Sequence, residues 1–348
     1  MENLFKKCDI AIITSPSNLF YFTGYNNADA IVLLSQKEKF YITDKRSTEE
    51  AKEVLVGWTI VDCGSNGYSY TAMAIINSKR CCGVGYEHGI ILHSTYCELV
   101  EYGWSELNFV DISDEIIDLR AIKTQKELDN IKFAQAITDS AFSYIVKELK
   151  TGISEIEVSS KLNSYIYSKG ATLAFDTIVA FGSNTSRPHS HPTDNKLQEN
   201  DVVLIDFGAK LYGFCSDMTR SFAVGTPTQE YIEMYNHVLN AQLAALGGAK
   251  AGMTGIECDK LSRDYFKNHG LSEYFTHSLG HSLGIDIHES PNLNTRNDKQ
   301  IPLNAVTSIE PGLYFEGKFG IRIEDIVIFK NNGVENLTNS KKTRIIEE

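Results

Sequence analysis

The stretch that decides the fold is Val202-Val203-Leu204-Ile205-Asp206-Phe207-Gly208. Four apolar residues, mostly β-branched, run straight into a carboxylate, and a short run of this kind reads as a buried strand. A second acid follows eleven positions on, in Cys215-Ser216-Asp217-Met218-Thr219-Arg220. A single Asp beside a glycine is as well explained by a turn cap as by chemistry. A lone charged carboxylate in a core is costly, however, and two side by side repel unless a cation lies between them. The pattern then repeats. Val306-Thr307-Ser308-Ile309-Glu310-Pro311-Gly312 is another apolar approach to an acid, and Gly320-Ile321-Arg322-Ile323-Glu324-Asp325 brings a second acid 14 positions later.

The repetition extends outward from these acids. Lys150-Thr151-Gly152-Ile153-Ser154-Glu155-Ile156-Glu157 and Lys250-Ala251-Gly252-Met253-Thr254-Gly255-Ile256-Glu257 share Lys, Gly, Ile and Glu at an offset of 100. Asp206 to Glu310, Asp217 to Glu324 and His189 to His288 are offset by 104, 107 and 99. This is an internal duplication of helix, helix and strands. Thr124-Gln125-Lys126-Glu127 is a capping box opening a long amphipathic helix with Ile131, Ala134, Ile137, Ala141 and Ile145 on one face. Ser154 and Glu157 cap a helix to about Lys169. Thr228 opens one ending at Gly247-Gly248, and Thr254 and Glu257 cap one stopped by Gly270. Extended segments are expected over 175–181, 201–224, 274–288 and 305–329. Two related halves would bring two acid-bearing hairpins together across a pseudo-twofold axis, with helices on the outer face, so that four carboxylates converge.

Before the duplication, residues 9–13, 29–34, 38–42 and 83–87 read as strands, with helices near 45–56 and 89–102. That alternation suggests an α/β domain over 1–118, followed by a second domain over 119–348. Asn18-Leu19-Phe20-Tyr21-Phe22-Thr23-Gly24-Tyr25 reads as an aromatic turn. Gly83-Val84-Gly85 is too short for a dinucleotide fingerprint.

A chain of 348 residues is long enough for two domains, and its net charge of −12 argues against a nucleic-acid or anionic-membrane binder. Seven scattered cysteines with no Cys-x-x-Cys indicate reduced thiols in a cytoplasmic protein. Residues 1–9 hold no apolar run long enough for a signal peptide. No stretch approaches the ~20 apolar residues of a membrane span.

Three of the nine histidines, His277, His281 and His288, fall within 12 residues between Gly-flanked turns, and His189 and His191 flank Ser190. A single histidine on an extended segment is more often structural than a ligand, but this density shifts the balance. Four carboxylates and one imidazole suit Mn²⁺, with Co²⁺, Fe²⁺ or Zn²⁺ as alternatives. Four carboxylates exceed the need of one divalent ion and fit two, about 3.5–4 Å apart with a shared water. An imidazole in the shell disfavours calcium.

Asp206, Asp217, His281, Glu310 and Glu324, in this order and spacing, resemble the five ligands of the pita-bread metallopeptidases. The carriers are Ile-Asp-Phe-Gly, Ser-Asp-Met-Thr-Arg, Gly-His-Ser-Leu-Gly-Ile-Asp-Ile-His-Glu, Ile-Glu-Pro-Gly-Leu-Tyr and Ile-Arg-Ile-Glu-Asp. Within that family the chain resembles the Xaa-Pro dipeptidases and aminopeptidases P. Its N-terminal domain is similar to the creatinase type, through Ile13-Thr14-Ser15-Pro16-Ser17-Asn18 and Tyr41-Ile42-Thr43-Asp44. The resemblance implies an α+β protein: a C-terminal pita-bread fold with the duplication, preceded by a smaller α/β domain. It also implies a homodimer. Two departures stand out. Ser282 replaces a usual glycine, and Asn292 stands where some dipeptidases carry an arginine for the substrate carboxylate, which favours longer peptides.

By the same resemblance Asp206 would bind one ion, His281 and Glu310 the other, and Asp217 and Glu324 both. Glu310 would accept the proton of the attacking water. His189 and His288 match the family's two non-ligand histidines, which steady the intermediate and orient the proline side. His277 matches a further histidine of some members and is a candidate substrate-binding residue, and His191 has no match. The substrate would be a peptide with proline in second position, whose ring calls for a shaped apolar wall; Phe175, Ile178 and Tyr212 are candidates. Three other readings compete. One is a metal-free hydrolase like creatinase, disfavoured because all five ligands are present. The others are a non-catalytic peptide-binding module and a metallo-aminopeptidase without proline specificity.

Overall fold

The computed structural model describes residues 3–27 and 29–346, so Met1 and Glu2, at the start of the segment read for a signal peptide, lie outside the described residues. The chain divides into two compact units, Met1–Arg120 and Ala121–Glu348.

The first unit is built on strands β1 (Ile10–Ile13), β2 (Ala30–Ser35), β3 (Lys39–Thr43), β4 (Thr59–Asp62), β5 (Gly83–Tyr86) and β6 (Asn108–Asp111). They form one sheet in the order β4-β3-β2-β1-β5-β6. The β1–β2 and β2–β3 pairs are antiparallel, and the outer pairs are parallel. The unbroken apolar run Ile10-Ala11-Ile12-Ile13 is buried along its whole length because both sheet faces are covered. Ala11 and Ile13 join one core, and Ile10 and Ile12 the other, as the two-residue period of a strand requires.

Around the sheet lie helices α1 (Pro16–Thr23), α2 (Thr48–Val54), α3 (Tyr68–Lys79), α4 (His93–Tyr102) and α5 (Ser113–Ala121). The expected aromatic turn at 18–25 is mostly α1. Ser15 accepts from Asn18 N, Pro16 opens the first turn, and Gly24 closes the helix at φ 69°. These start and stop signals outrank the aromatic content of the residues between them. Sequence patterning also missed α3, which has no capping side chain, and the edge strands β4 and β6, whose ends are exposed.

The second unit opens with α6 (Gln125–Ile145) and α7 (Glu155–Ser168). Strands β7 (Thr172–Leu173), β8 (Ile178–Phe181), β9 (Val202–Phe207), β10 (Ala209–Leu211), β11 (Phe214–Cys215) and β12 (Met218–Val224) follow. The arrangement then restarts with α8 (Gln229–Gly248) and α9 (Gly255–Asn268). After these come β13 (Gly280–Ser282), β14 (Glu289–Leu293), β15 (Val306–Ile309), β16 (Gly312–Phe315), β17 (Phe319–Arg322), β18 (Asp325–Lys330), β19 (Gly333–Asn336) and the short β20 (Ile345–Ile346). Segment 274–288, expected as extended throughout, holds only β13 as strand.

The expected capping boxes at Thr124, Ser154 and Thr254 are all formed. In the first half β12 and β8 flank β9, and in the second β13 and β18 flank β15. The acid-bearing hairpins match: β9 pairs antiparallel with β12, and β15 with β18. Each half has its own core on the helix side. Ile145, Leu162, Val203 and Ile205 pack together in the first, and Ala245, Cys258, Ile309 and Val327 in the second. The α+β architecture is the one the resemblance implies, and the duplication is the one the repeated sequence pattern predicts.

Candidate metal centre

The two hairpins place their acids at strand ends, where a rigid ladder hands over to a turn. Asp206 lies in β9 and Asp217 just before β12, while Glu310 follows β15 and Glu324 links β17 to β18. Asp206, Asp217 and Glu324 are at most 8% exposed. His281 comes from the middle of β13. Its Nδ1–H donates to Ser282 O at 3.2 Å, which turns Nε2 toward Asp217 Oδ2 at 3.5 Å and Glu310 Oε1 at 3.4 Å. A ring held this way by a backbone carbonyl is pre-oriented as a ligand. Donor atoms of Asp217, His281 and Glu324 all lie within 4.8 Å of one another.

Burial pushes the carboxyls of Asp217 and Glu324 well above the usual carboxylate range, and the neighbouring acid charges push them further. Glu310 is raised by the same burial. Burial lowers the imidazole pKa of His281, favouring the neutral form that can donate a lone pair. Three buried oxygens, Asp206 Oδ1, Asp217 Oδ1 and Glu324 Oε1, have no hydrogen-bond partner. Buried acceptors are normally satisfied. Orphaned carboxylate oxygens from both halves, beside a lone-pair donor, have the chemistry that suits a divalent cation.

The other oxygens are held by neighbours that sequence reasoning overlooked. Arg322 Nη2 donates to Asp206 Oδ2 at 2.6 Å, Nη1 to Tyr314 Oη at 2.6 Å, and Nε to Thr219 Oγ1 at 3.0 Å. Thr219 Oγ1 in turn donates to Glu324 Oε2 at 2.7 Å, and Ser308 Oγ to Glu310 Oε1 at 2.9 Å. The available signal was a guanidinium inside the apolar run Ile321-Arg322-Ile323. His277 joins this network: Nε2 accepts from Tyr314 Oη at 3.0 Å and Nδ1 donates to Ser278 O at 2.8 Å. Burial raises the Tyr314 phenol to about 12, so it stays protonated.

Asp206, Asp217, His281, Glu310, Glu324, His277 and Arg322 line a cavity of about 430 Å³. Phe175, Ile178 and Ile287 supply its apolar lining, and His189, His288 and Asn292 reach it as well. His189 and His288 are exposed, whereas the acids lie deep. Tyr212 is not brought to this cavity. It occupies the turn between β10 and β11 at φ 50° and is 67% exposed, because the tight hairpin turns it away from the apolar wall. His191, given no role, is exposed and does not line the cavity. Ser282, in the place of a glycine, is fully buried and spends its hydroxyl on Pro291 O at 2.7 Å.

Residues 129–331 match the model of metallopeptidase family M24, and residues 5–122 that of the creatinase/prolidase N-terminal domain. The chain belongs to metallopeptidase family M24. It is 37% identical over 351 residues to the uncharacterized peptidase YqhT of Bacillus subtilis (strain 168), covering 99% of this chain and 98% of that one. Among solved structures it is similar to an Xaa-Pro dipeptidase from Bacillus anthracis, with TM-score 0.95 and 36% identity over 99% of this chain and 98% of the other. It is likewise similar to an X-Pro aminopeptidase from Thermotoga maritima MSB8, with TM-score 0.92 and 33% identity over 99% of each chain. A prolidase from Pyrococcus furiosus gives TM-score 0.89 and 32% identity over 98% of this chain and 100% of the other. The chain is therefore a metallopeptidase with the creatinase-type and pita-bread domains, and its family implies divalent metal ions. Among the described residues no helix is long and apolar enough to cross a membrane.

Proposed function

We propose that this M24 peptidase hydrolyses the bond between an N-terminal residue and a following proline. In this reading Asp206, Asp217, His281, Glu310 and Glu324 hold two divalent ions, with Mn²⁺ the best match to the oxygen-rich set. The observation that carries it is the convergence of orphaned carboxylate oxygens from both halves beneath a partly apolar cavity. Ions held by these residues would supply Lewis-acid chemistry, acidifying a water and polarising the scissile carbonyl.

The chain's own residues supply the rest. Glu310, its pKa raised by burial, is the base that takes the proton of the attacking water. Arg322 fixes Asp206 through Oδ2 and leaves Oδ1 without a hydrogen-bond partner. Exposed His189 and His288 at the cavity act on the proline side, donating to the charge that develops on the carbonyl oxygen. Phe175 and Ile178 offer the wall a pyrrolidine ring needs, since proline has no N–H to be recognised by. The deep acids attract the substrate's free α-amine.

Arg322 is the only Arg or Lys among the described lining residues, and it is committed to Asp206, Tyr314 and Thr219. The carboxylate of a dipeptide would therefore meet only the Asn292 amide and the histidines. This supports loose length selection, with tripeptides cleaved as well as dipeptides. Seven free cysteines suit a thiol-reducing, cytoplasmic setting.

The test compares kcat/KM for a Xaa-Pro dipeptide, a Xaa-Pro-Xaa tripeptide and their alanine analogues at one Mn²⁺ concentration. A shaped apolar pocket predicts a preference for proline of about ten- to two-hundred-fold. Equal rates for proline and alanine would reject proline specificity, and cleavage of the dipeptide alone would reject loose length selection. Absence of turnover with metal bound would favour a peptide-binding module.

A further inference from the structure

His288 is presented by the connection between β13 and β14, a segment with little regular structure of its own. Its ring packs edge-on against that of His281, with centroids 4.5 Å apart, and the loop backbone that carries it needs its own anchor. The element beneath it is Glu289. Its side chain is 6% exposed, its Oε1 accepts from Asp286 N at 3.1 Å, and its Oε2 lies 2.9 Å from Lys123 Nζ. A Cβ at Gly284 would stand 2.9 Å from both Glu289 carboxylate oxygens, so the loop backbone closes directly over this carboxylate. The loop is also tied on its other side. Cys215 N donates to Gly284 O at 2.7 Å, and Lys210 Nζ to Ile285 O at 2.8 Å. The 284–289 turn is thus folded around a buried carboxylate.

The cation that balances that carboxylate comes from 166 residues earlier. Lys123 sits between α5 and α6, just before the capping box that opens α6. Its side chain is only 2% exposed, and its backbone N donates to Asn304 O at 3.3 Å. Lysine is seldom buried without a partner, and a buried carboxylate is tolerable only when paired and hydrogen-bonded. Lys123 is not among the residues that line the cavity.

We infer that Lys123 is a positioning residue: through its buried ion pair with Glu289 it sets the geometry of the loop that aims His288 and Ile287 into the cavity. This rests on the reading that His288 acts on the substrate. Lys123 orders the loop before substrate arrives, so its loss lowers the rate of the chemical step more than the affinity for substrate. A displacement of about 1 Å in a catalytic group can cost on the order of a hundredfold in rate.

The experiment is a double-mutant cycle on the Mn²⁺-loaded full chain, with a Xaa-Pro tripeptide as substrate. Lys123→Met alone is expected to lower kcat about ten- to a hundredfold, with KM and metal content close to wild type. Lys123→Arg should restore most of the rate. In a His288→Ala background, Lys123→Met should cost almost nothing further, because residues acting as one unit are not additive. Should Lys123→Met fail to fold, the neutral pair Lys123→Met with Glu289→Gln removes both charges together and enters the same cycle. The inference is overturned if Lys123→Met costs the same factor with and without His288, or if it acts by losing metal. If His288→Ala alone leaves kcat unchanged, the role of His288 is what fails, and the cycle shows that separately.

Discussion

The two halves of the second unit are built on one plan, and one of their divergences falls immediately after the helix cap. Ser154 and Thr254 form the same capping box, and each also makes an isolated bridge, to Lys196 and to Gln300. The next residue is Glu155 in one half and Gly255 in the other. Fully buried Glu155 accepts from Phe181 N, Asn184 Nδ2, Thr193 N and Oγ1, and Asn195 Nδ2, at 2.6 to 3.2 Å. It gathers in the segment that carries His189. At Gly255 an added Cβ would lie 2.3 Å from Asn292 O, so the second half packs backbone directly on helix. Its loop is held by Asn297 Nδ2, which donates to Asn292 O at 2.7 Å, and by the Lys123–Glu289 pair. Symmetry is kept in the hairpins that carry the four acids. It is not kept in how the segments that carry His189 and His288 are anchored.

The largest expected effect tests the symmetric part. Asp217→Asn and Glu324→Gln, one from each half, should each abolish turnover while circular dichroism stays native, because on the proposed reading each removes a metal ligand and not a core contact. A variant with wild-type turnover at saturating Mn²⁺ would show that the acids are not equivalent across the halves. His189→Ala and His288→Ala should follow, each lowering kcat by about 10²–10³-fold, as for loss of a donor to a developing oxyanion. A loss confined to KM would mean that the histidines only bind.

Stability measurements sharpen the asymmetric part. Glu155→Ala strands several donors that share a charged acceptor, so urea unfolding should show a loss of about 3 kcal/mol or more. Gly255→Ala forces a methyl against a carbonyl and should cost about 1–3 kcal/mol. Equal and negligible effects would mean that neither loop depends on its helix.

The smallest effect is in pH. The carboxyls of Asp217, Glu310 and Glu324 are raised in the fold by burial, so the folded metal-free protein binds more protons than the unfolded chain. Stability of that form should therefore fall as pH rises from about 5 to 8, above the ordinary carboxylate pKa of ~4. Melting of chelator-treated protein across this range should show the trend, and saturating Mn²⁺ should cancel or reverse it. A flat profile without metal would mean that the acids are not crowded.

Much of this protein is legible in one dimension because its signals are local. A capping box spans four residues, a buried strand needs a short apolar run, and a duplication shows as a constant offset. The hairpins carrying Asp206, Asp217, Glu310 and Glu324 follow from such patterns. The helix at Pro16–Thr23 was legible too, in Ser15, Pro16 and Gly24, but the aromatic residues between them hid it. The partners that make the acids a site are not local. Arg322 reaches Asp206 across 116 residues, Thr219 reaches Glu324 across 105, and Lys123 reaches Glu289 across 166. Tyr212 looked like a wall residue and is out in solvent. Hydrogen bonding and alternation along a chain set which elements form, and they act over a few residues. Which side chains meet between elements depends on hairpin register and on how the two halves pack, and only the tertiary structure decides that.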